Sequence, residues 1–155
     1  ARIVNVSSSA HKYGNINFDD INWEERDYKA WKAYGDSKIA NLYFTKELKA
    51  KLEEAGVNII VTASHPGWTA TDLQRHSGLF EFLNNFFAMP SDQGALTTLR
   101  AAVDEDAQNG DYFGPNGWNE WKGYPAKVDS NELAKDKEIA KKLSKLFKVP
   151  VSRFI

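Results

Sequence analysis

The chain has 155 residues and a mass of 17.5 kDa, about the size of one domain, and 42% of its residues are apolar. The 20 Lys and Arg nearly balance the 21 Asp and Glu, and a formal charge of −1 argues against a protein that binds nucleic acid through phosphate contacts. The sequence has no cysteine, which excludes disulfides, thiolate nucleophiles and cysteine-based zinc sites. No apolar run approaches the roughly 18 residues of a membrane span, and no targeting segment opens the sequence, so we expect a soluble cytoplasmic domain.

The first half of the chain alternates between strand-forming and helix-forming segments. The predicted elements are a buried strand at residues 2–6, a long polar loop at 11–27, a helix at 31–55 and a second strand at 57–63. The first strand has no preceding turn or cap, so we expect the chain to begin inside a fold. Strand, helix and strand in this order indicate a parallel α/β unit. Three serines, Ser7, Ser8 and Ser9, follow the first strand, where functional loops of parallel sheets lie.

The second half predicts two more helices and a third strand. These are a helix at residues 91–103 capped by Ser91, a strand at 110–115, and a last helix beyond residue 133 capped by Asp129 and Glu132. Residues 79–89 are apolar on most sides. They either pack on the sheet, or cover an apolar substrate as a lid, or contact a membrane surface. Trp118 and Trp121 are expected to pack a C-terminal segment.

Tyr34 and Lys38 lie four residues apart in the predicted helix, so both side chains leave one face about one turn apart. A free phenol is a weak acid or base at neutral pH, whereas a neighbouring ammonium favours its charged form and brings proton transfer into range. The same spacing also occurs where a surface tyrosine lies along a lysine stem. Spacing alone therefore leaves both a catalytic pair and a surface pair open.

Two further motifs surround this pair in a fixed order. VNVSS at residues 4–8 precedes it, and PGWTAT at residues 66–71 follows it at the end of the next predicted strand. The combination resembles the short-chain dehydrogenase/reductase family, most of all its retinol dehydrogenase and WW-domain oxidoreductase branch. YFGPNG at residues 112–117 is similar to that branch as well. The resemblance assigns residues 1–143 to the C-terminal half of a short-chain dehydrogenase/reductase domain and leaves residues 144–155 as an unassigned tail.

The resemblance implies an α/β fold: the C-terminal half of a doubly wound Rossmann-type parallel sheet, with about three strands and flanking helices. It also implies hydride transfer between NAD or NADP and a small hydrophobic alcohol or carbonyl compound. Ser8 would hydrogen-bond the substrate oxygen, Tyr34 would be the general acid or base, and Lys38 would assist Tyr34 and hold the nicotinamide ribose. The residues expected at the cofactor are Tyr34, Lys38, Pro66, Gly67, Trp68, Thr69 and Thr71.

The sequence also departs from the family, because it lacks the Gly-rich phosphate loop, the residue that selects the cofactor and the Asn-Asn-Ala-Gly segment. We therefore expect the first four strands of the family's sheet to lie outside this chain. A homo-oligomer or a complementing chain would then cover the open side of the sheet. The alternative is a noncatalytic fragment or interaction module that pairs its open strand edge with a partner.

Two other kinds of site can be weighed from the sequence. Ser8, His11 and Asp19 could form a hydrolase triad, but there is no Gly-x-Ser-x-Gly elbow and the histidine is too close to the serine. The three histidines, His11, His65 and His76, have no metal-ligand spacing, so we expect loop or turn histidines and no metal.

Overall fold

The computed structural model describes residues 1–69 and 88–147. Within these residues one four-stranded sheet lies between helices. The elements in chain order are β1 (Arg2–Val6), α1 (Ala30–Glu54), β2 (Ile60–Ser64), α2 (Ser91–Val103), β3 (Tyr112–Pro115), β4 (Pro125–Lys127) and α3 (Lys137–Phe147). Short 3₁₀ helices lie at Ser9–Tyr13, Trp118–Glu120 and Leu133–Lys135.

The strands follow the order β1-β2-β3-β4, and the first three are parallel. The predicted α/β fold with three parallel strands is therefore confirmed. The fourth strand was not predicted: β4 pairs antiparallel with β3, Phe113 opposite Lys127 and Pro115 opposite Pro125. A three-residue strand that begins with proline carries none of the alternating apolar pattern by which strands are recognised.

The two faces of the sheet are covered by different helices because alternate strand side chains point to opposite faces. On one face, Ile39, Leu42 and Tyr43 of α1 pack with Ala140 and Leu143 of α3 and with Ala63 and Tyr112 of the sheet. On the other face, Ala101 of α2 packs with Phe113 and Val4. The result is a three-layer arrangement with the core on both sides of the sheet.

Several predicted boundaries differ from the observed ones. Residues 57–59 do not belong to β2, because the Val57 N–H donates to Leu52 O and continues the turn that ends α1. Ser91 is the first residue of α2 and Pro90 takes the cap position. Asp129 and Glu132 were predicted to cap the last helix, but both carboxylates accept from Lys135 Nζ instead.

The described residues contain no helix that is long and apolar enough to cross a membrane. Of the predicted lid or membrane contact at residues 79–89, only the last two residues are described, and Met89 is buried with its N–H donating to Trp68 O. Helix α3 extends to Phe147, beyond residue 143, and residues 148–155 of the tail lie outside the described residues.

Candidate active site

The carboxyl ends of three parallel strands meet at one edge of the sheet, where ligands bind in open α/β folds. Three segments continue from them. We call them the serine loop (residues 7–14, after β1), the Pro66 loop (residues 65–69, after β2) and the hairpin segment (residues 116–124, between β3 and β4). The sequence-predicted site residues that the structure describes lie in the first two segments and in the first turns of α1.

The first two serines of the serine loop have different surroundings. Ser7 is buried, and its hydroxyl donates to Lys38 O at 2.8 Å. Ser8 is half-buried and caps the 3₁₀ helix that follows, its Oγ accepting from the Ala10 N–H at 3.2 Å. Accepting this bond uses an oxygen lone pair and leaves the O–H of Ser8 able to donate. The Ser7 hydroxyl thus donates within the protein, to α1, whereas the Ser8 O–H is available to donate to a ligand.

Tyr34 and Lys38 lie on the same side of α1, as their spacing predicts. Lys38 Nζ is 5.4 Å from the centroid of the Tyr34 ring, within the range of a cation–π interaction. Both side chains are half-buried. The Trp31 ring meets the Tyr34 ring edge-on at 6.1 Å and is itself more exposed. The pair therefore presents a phenol and an ammonium together at a partly accessible surface.

Close backbone packing holds the serine loop against α1 beside this pair. A Cβ on Gly14 would lie 2.4 Å from Gly35 O, and a Cβ on Gly35 would lie 3.0 Å from Ala10 O. Glycine at both positions permits this close approach, which brings the loop that carries Ser8 against the helix turn that carries Tyr34. These glycines were missed from the sequence, although a glycine inside a helix-forming segment is a usual sign of close packing.

The Pro66 loop is tightly folded around Gly67. Gly67 has φ +72°, and a Cβ there would lie 2.6 Å from Trp121 O. The Trp68 N–H donates to this same Trp121 O at 2.8 Å, and Thr69 Oγ1 donates to Pro66 O at 3.1 Å. Trp68 is one of the residues expected at the cofactor, but its backbone N–H already donates to the hairpin segment. Thr71 lies outside the described residues.

The aromatic residues of the hairpin segment do not all pack as expected. Trp121 lies 5.3 Å from the Trp68 ring, between the centroids, and so packs on the Pro66 loop. Trp118 contacts the Trp121 ring at 4.9 Å but remains 71% exposed. Packing of a C-terminal segment is thus the wrong description for Trp118, which lies at the surface next to the Pro66 loop.

His11 lies in a loop, as expected, but its ring is fully buried. The Nδ1–H donates to Ser8 O at 2.7 Å and Nε2 accepts from the Asn131 N–H at 3.4 Å, an arrangement that fits a neutral ring. Burial is the main reason that the pKa of His11 is lowered. Because both ring nitrogens contact backbone groups, His11 is not placed to act as a base toward the Ser8 hydroxyl, and the hydrolase triad is not formed.

His65 is also fully buried, at the start of the Pro66 loop. Its Nδ1 accepts from the Gly67 N–H at 3.3 Å, and its Nε2–H donates to Glu120 Oε2 at 3.0 Å. This bond from His65 is the largest cause of the lowered pKa of Glu120. The other carboxylate oxygen of Glu120 accepts from Lys12 Nζ at 3.1 Å. Sequence reasoning missed Glu120, which belongs to no motif.

Within residues 1–69 and 88–147, no group of three His, Asp or Glu side chains is placed to hold a metal.

Comparison with known proteins identifies the family. No family model matches the chain. The short-chain dehydrogenase TIC 32 A, chloroplastic, of Brassica napus is 45% identical over 121 residues, which cover 72% of this chain and 38% of that protein. Retinol dehydrogenase 13 of Mus musculus is 38% identical over 154 residues, which cover 92% of this chain and 43% of that protein. The matched region belongs to the short-chain dehydrogenase/reductase family.

A solved structure agrees with this family assignment at the level of the fold. The crystal structure of an uncharacterised protein from Mycobacterium paratuberculosis superimposes with a TM-score of 0.76 at 36% identity, covering 96% of this chain and 50% of the other. The chain thus spans about two fifths of the curated short-chain dehydrogenases that it matches and half of this neighbour.

Proposed function

We propose that the protein is an oxidoreductase that transfers a hydride between NAD or NADP and a hydrophobic alcohol or carbonyl compound. The observation that carries this proposal is the Tyr34–Lys38 pair beside the serine loop, with the ammonium 5.4 Å from the ring centroid. Several relatives are named retinol dehydrogenases, which supports an apolar alcohol as the substrate class. The assignment of Ser8, Tyr34 and Lys38 to catalysis is part of the proposal.

The side chains at this edge of the sheet suit the nicotinamide half of a dinucleotide. Lys38 brings an ammonium that can donate to ribose hydroxyls, and it lies on the same face as the Tyr34 phenol. The sequence contains no Gly-rich phosphate loop, so the residues that contact the pyrophosphate are not assigned and the choice between NAD and NADP stays open. Pro66, Gly67, Trp68, Thr69 and Thr71 are proposed to border the nicotinamide. A bound nicotinamide supplies or accepts the hydride.

Each of the proposed catalytic side chains has a distinct task. The Ser8 O–H donates to the substrate oxygen and holds it toward Tyr34. The Tyr34 O–H gives its proton to that oxygen in the reducing direction, and the phenolate takes the proton back in the oxidising direction. The Lys38 ammonium places positive charge beside the ring when the proton has left, which stabilises the phenolate.

The first prediction concerns Tyr34. The test uses a protein in which binding of NADH or NADPH has been measured. There, Tyr34→Phe abolishes carbonyl reduction and leaves the dissociation constant of the cofactor nearly unchanged, because only the transferable proton is lost. Binding is measured by nicotinamide fluorescence and turnover by the loss of NADH absorbance. Tyr28→Phe is the matched control, since Tyr28 is 70% exposed and has no proposed role. Turnover that survives in Tyr34→Phe would show that the acid–base assignment is wrong.

A second candidate function rests on a different observation. Among the described strands β1 is an end strand, hydrogen-bonded on one side only. Its open edge supports an interaction module that pairs with a second copy of the chain or with a complementing chain. Cofactor binding by the unsubstituted chain favours the enzyme, whereas strand-mediated association without cofactor binding favours the module. Contact with a membrane through residues 79–89 remains a prediction.

A further inference from the structure

Glu120 has an unusual backbone for its residue type. Asn119 and Glu120 both have positive φ, 52° and 56°, in the left-handed region that residues with a Cβ rarely adopt. Such strained backbone persists only where the surrounding contacts hold it, and it concentrates at functional sites. The contacts of the Glu120 side chain therefore indicate the role of this backbone conformation.

The carboxylate of Glu120 joins two other segments of the candidate site. Oε2 accepts from the buried His65 ring at 3.0 Å, and Oε1 accepts from Lys12 Nζ at 3.1 Å. Lys12 lies in the serine loop, four residues after Ser8, and His65 begins the Pro66 loop. One side chain after β3 thus contacts the loops after β1 and β2.

The orientation of the His65 ring strengthens this link. Because Nδ1 accepts from the Gly67 N–H, the proton of the neutral ring is on Nε2 and points at Glu120. Gly114 of β3 packs closely on this ring, since a Cβ on Gly114 would lie 2.1 Å from His65 Nε2. Trp121, the residue after Glu120, adds a backbone hydrogen bond, because its carbonyl oxygen accepts from the Trp68 N–H at 2.8 Å.

We propose that Glu120 is a positioning residue that fixes the serine loop relative to the Pro66 loop, through Lys12 on one side and His65 on the other. It touches neither the proposed substrate nor the cofactor. Its effect is on the spacing between Ser8 and the residues around Gly67, so the proposal deepens the proposed function and rests on it.

The substitutions that test this proposal separate the two hydrogen bonds of the Glu120 carboxylate, one with His65 and one with Lys12. Glu120→Ala removes both bonds. Lys12→Met keeps most of the lysine stem and removes only the bond to the serine loop. Glu120→Gln keeps an acceptor for the His65 Nε2–H and loses the negative charge that faces Lys12. Glu105→Gln, in the exposed turn after α2, is the control for loss of a carboxylate.

Amide hydrogen exchange of the full chain gives the decisive measurement, because it reports local opening segment by segment. In Glu120→Ala we expect about tenfold faster exchange at the Ala10, His11 and Trp68 amides, with the α1 amides unchanged. In Lys12→Met and Glu120→Gln only the Ala10 and His11 amides should exchange faster. Rates within about twofold of the unsubstituted chain in both Glu120→Ala and Lys12→Met would overturn the proposal.

If Glu120→Ala does not fold, Lys12→Met and Glu120→Gln decide the question, since neither disturbs the buried His65 bond. A parallel titration separates this proposal from the proposed function. Loosened loops should weaken NADH binding about fivefold in Glu120→Ala and leave it unchanged in Glu105→Gln. Equal NADH affinity in Glu120→Ala and the unsubstituted chain would refute a positioning role. Absence of binding by the unsubstituted chain would refute the proposed function, and the exchange rates would still decide whether Glu120 holds the two loops.

Discussion

Neighbouring residues of the same type have different tasks in this chain, because the backbone decides which polar atoms remain available. Ser7 points to the helix face and donates to Lys38 O, whereas Ser8 caps the 3₁₀ helix and keeps its O–H. The family resemblance selected Ser8, Tyr34 and Lys38, and the spacing of the last two placed both on one face of a helix. Sequence reasoning could not find Glu120, because the role of this residue comes from contacts with residues that are distant along the chain.

His11 makes the stability of the fold sensitive to mild acid. Burial lowers its pKa below the ordinary value of 6.5, so the unfolded chain takes up a proton at a higher pH than the folded chain does. The stabilisation is therefore complete above about pH 6.5 and is lost as the pH falls through the folded pKa, with a slope of at most about 1.4 kcal/mol per pH unit.

His11→Gln tests this prediction. The variant should show a smaller loss of unfolding free energy between about pH 7.5 and pH 5.5 than the unsubstituted chain, because its side chain does not titrate. Urea unfolding at several pH values measures the difference. All other side chains are the same in both proteins, so the difference between the two curves reports His11. Parallel pH curves for the two proteins would contradict the assignment.

Among the helices and strands, the sequence predicted correctly those elements whose local residue pattern matches the hydrogen bonds that they form in the fold. The bounds of β1 agree with the prediction, and those of α1 agree within one residue, because β-branched residues dominate β1 and helix formers dominate α1. The start of β2 was misplaced because Val57 and Ile59 are β-branched, yet their N–H groups belong to the turn after α1. β4 carries no local pattern and exists through its pairing with β3.

The cap of α3 shows why a residue pattern alone misplaces a helix start. Asp129 and Glu132 fit the capping pattern, but they precede the 3₁₀ turn Leu133–Lys135 rather than the α-helix. The carboxylate that satisfies the first N–H groups of α3 is Asp136, whose Oδ1 accepts from Glu138 N at 2.8 Å and from Ile139 N at 3.1 Å. The chain thus forms a separate turn before α3, and the helix begins later than predicted.

Asp136→Ala should destabilise the protein by about 1 kcal/mol, the usual effect of removing a helix cap. Asp129→Ala is the matched control, because Asp129 is exposed and caps no helix, and it should change the stability far less. Urea midpoints of the two variants provide the comparison. A larger loss in Asp129→Ala than in Asp136→Ala would show that the predicted cap, and not the observed one, starts the helix.

Considered as a whole, the described structure is a sheet covered on both faces but open along β1. The Ser7 N–H donates to Ser64 O and Ala1 O accepts from Ile60 N, so the odd-numbered residues of β1 bond to β2. The peptide groups of Arg2, Val4 and Val6 therefore point away from the sheet. Val6 is 44% exposed, unlike the side chains of an interior strand. The open strand edge was predicted from the family resemblance, whereas residue patterns alone do not show it because they do not say which strands pair.

We expect the chain to associate through this edge, and Val4→Pro should abolish the association. Proline removes an N–H that the Val4 backbone does not use within the sheet and blocks pairing with an added strand. Sedimentation velocity over a range of concentrations measures the change. Val103→Lys is the control, since Val103 is 72% exposed at the end of α2 and belongs to no strand. A chain that is monomeric at every concentration would contradict this prediction.

The open edge is not uniform along its length, because the Asn41 side chain donates to Val6 O at 2.9 Å. The last outward carbonyl of β1 is thus already satisfied from within the chain, so a strand added beside β1 has one acceptor fewer where Ser7 and Ser8 begin. An incoming strand would be held along Arg2 and Val4 and would diverge from β1 at Val6. We therefore expect the hydrogen bond from Asn41 to weaken strand pairing at Val6, the residue directly before the serine loop.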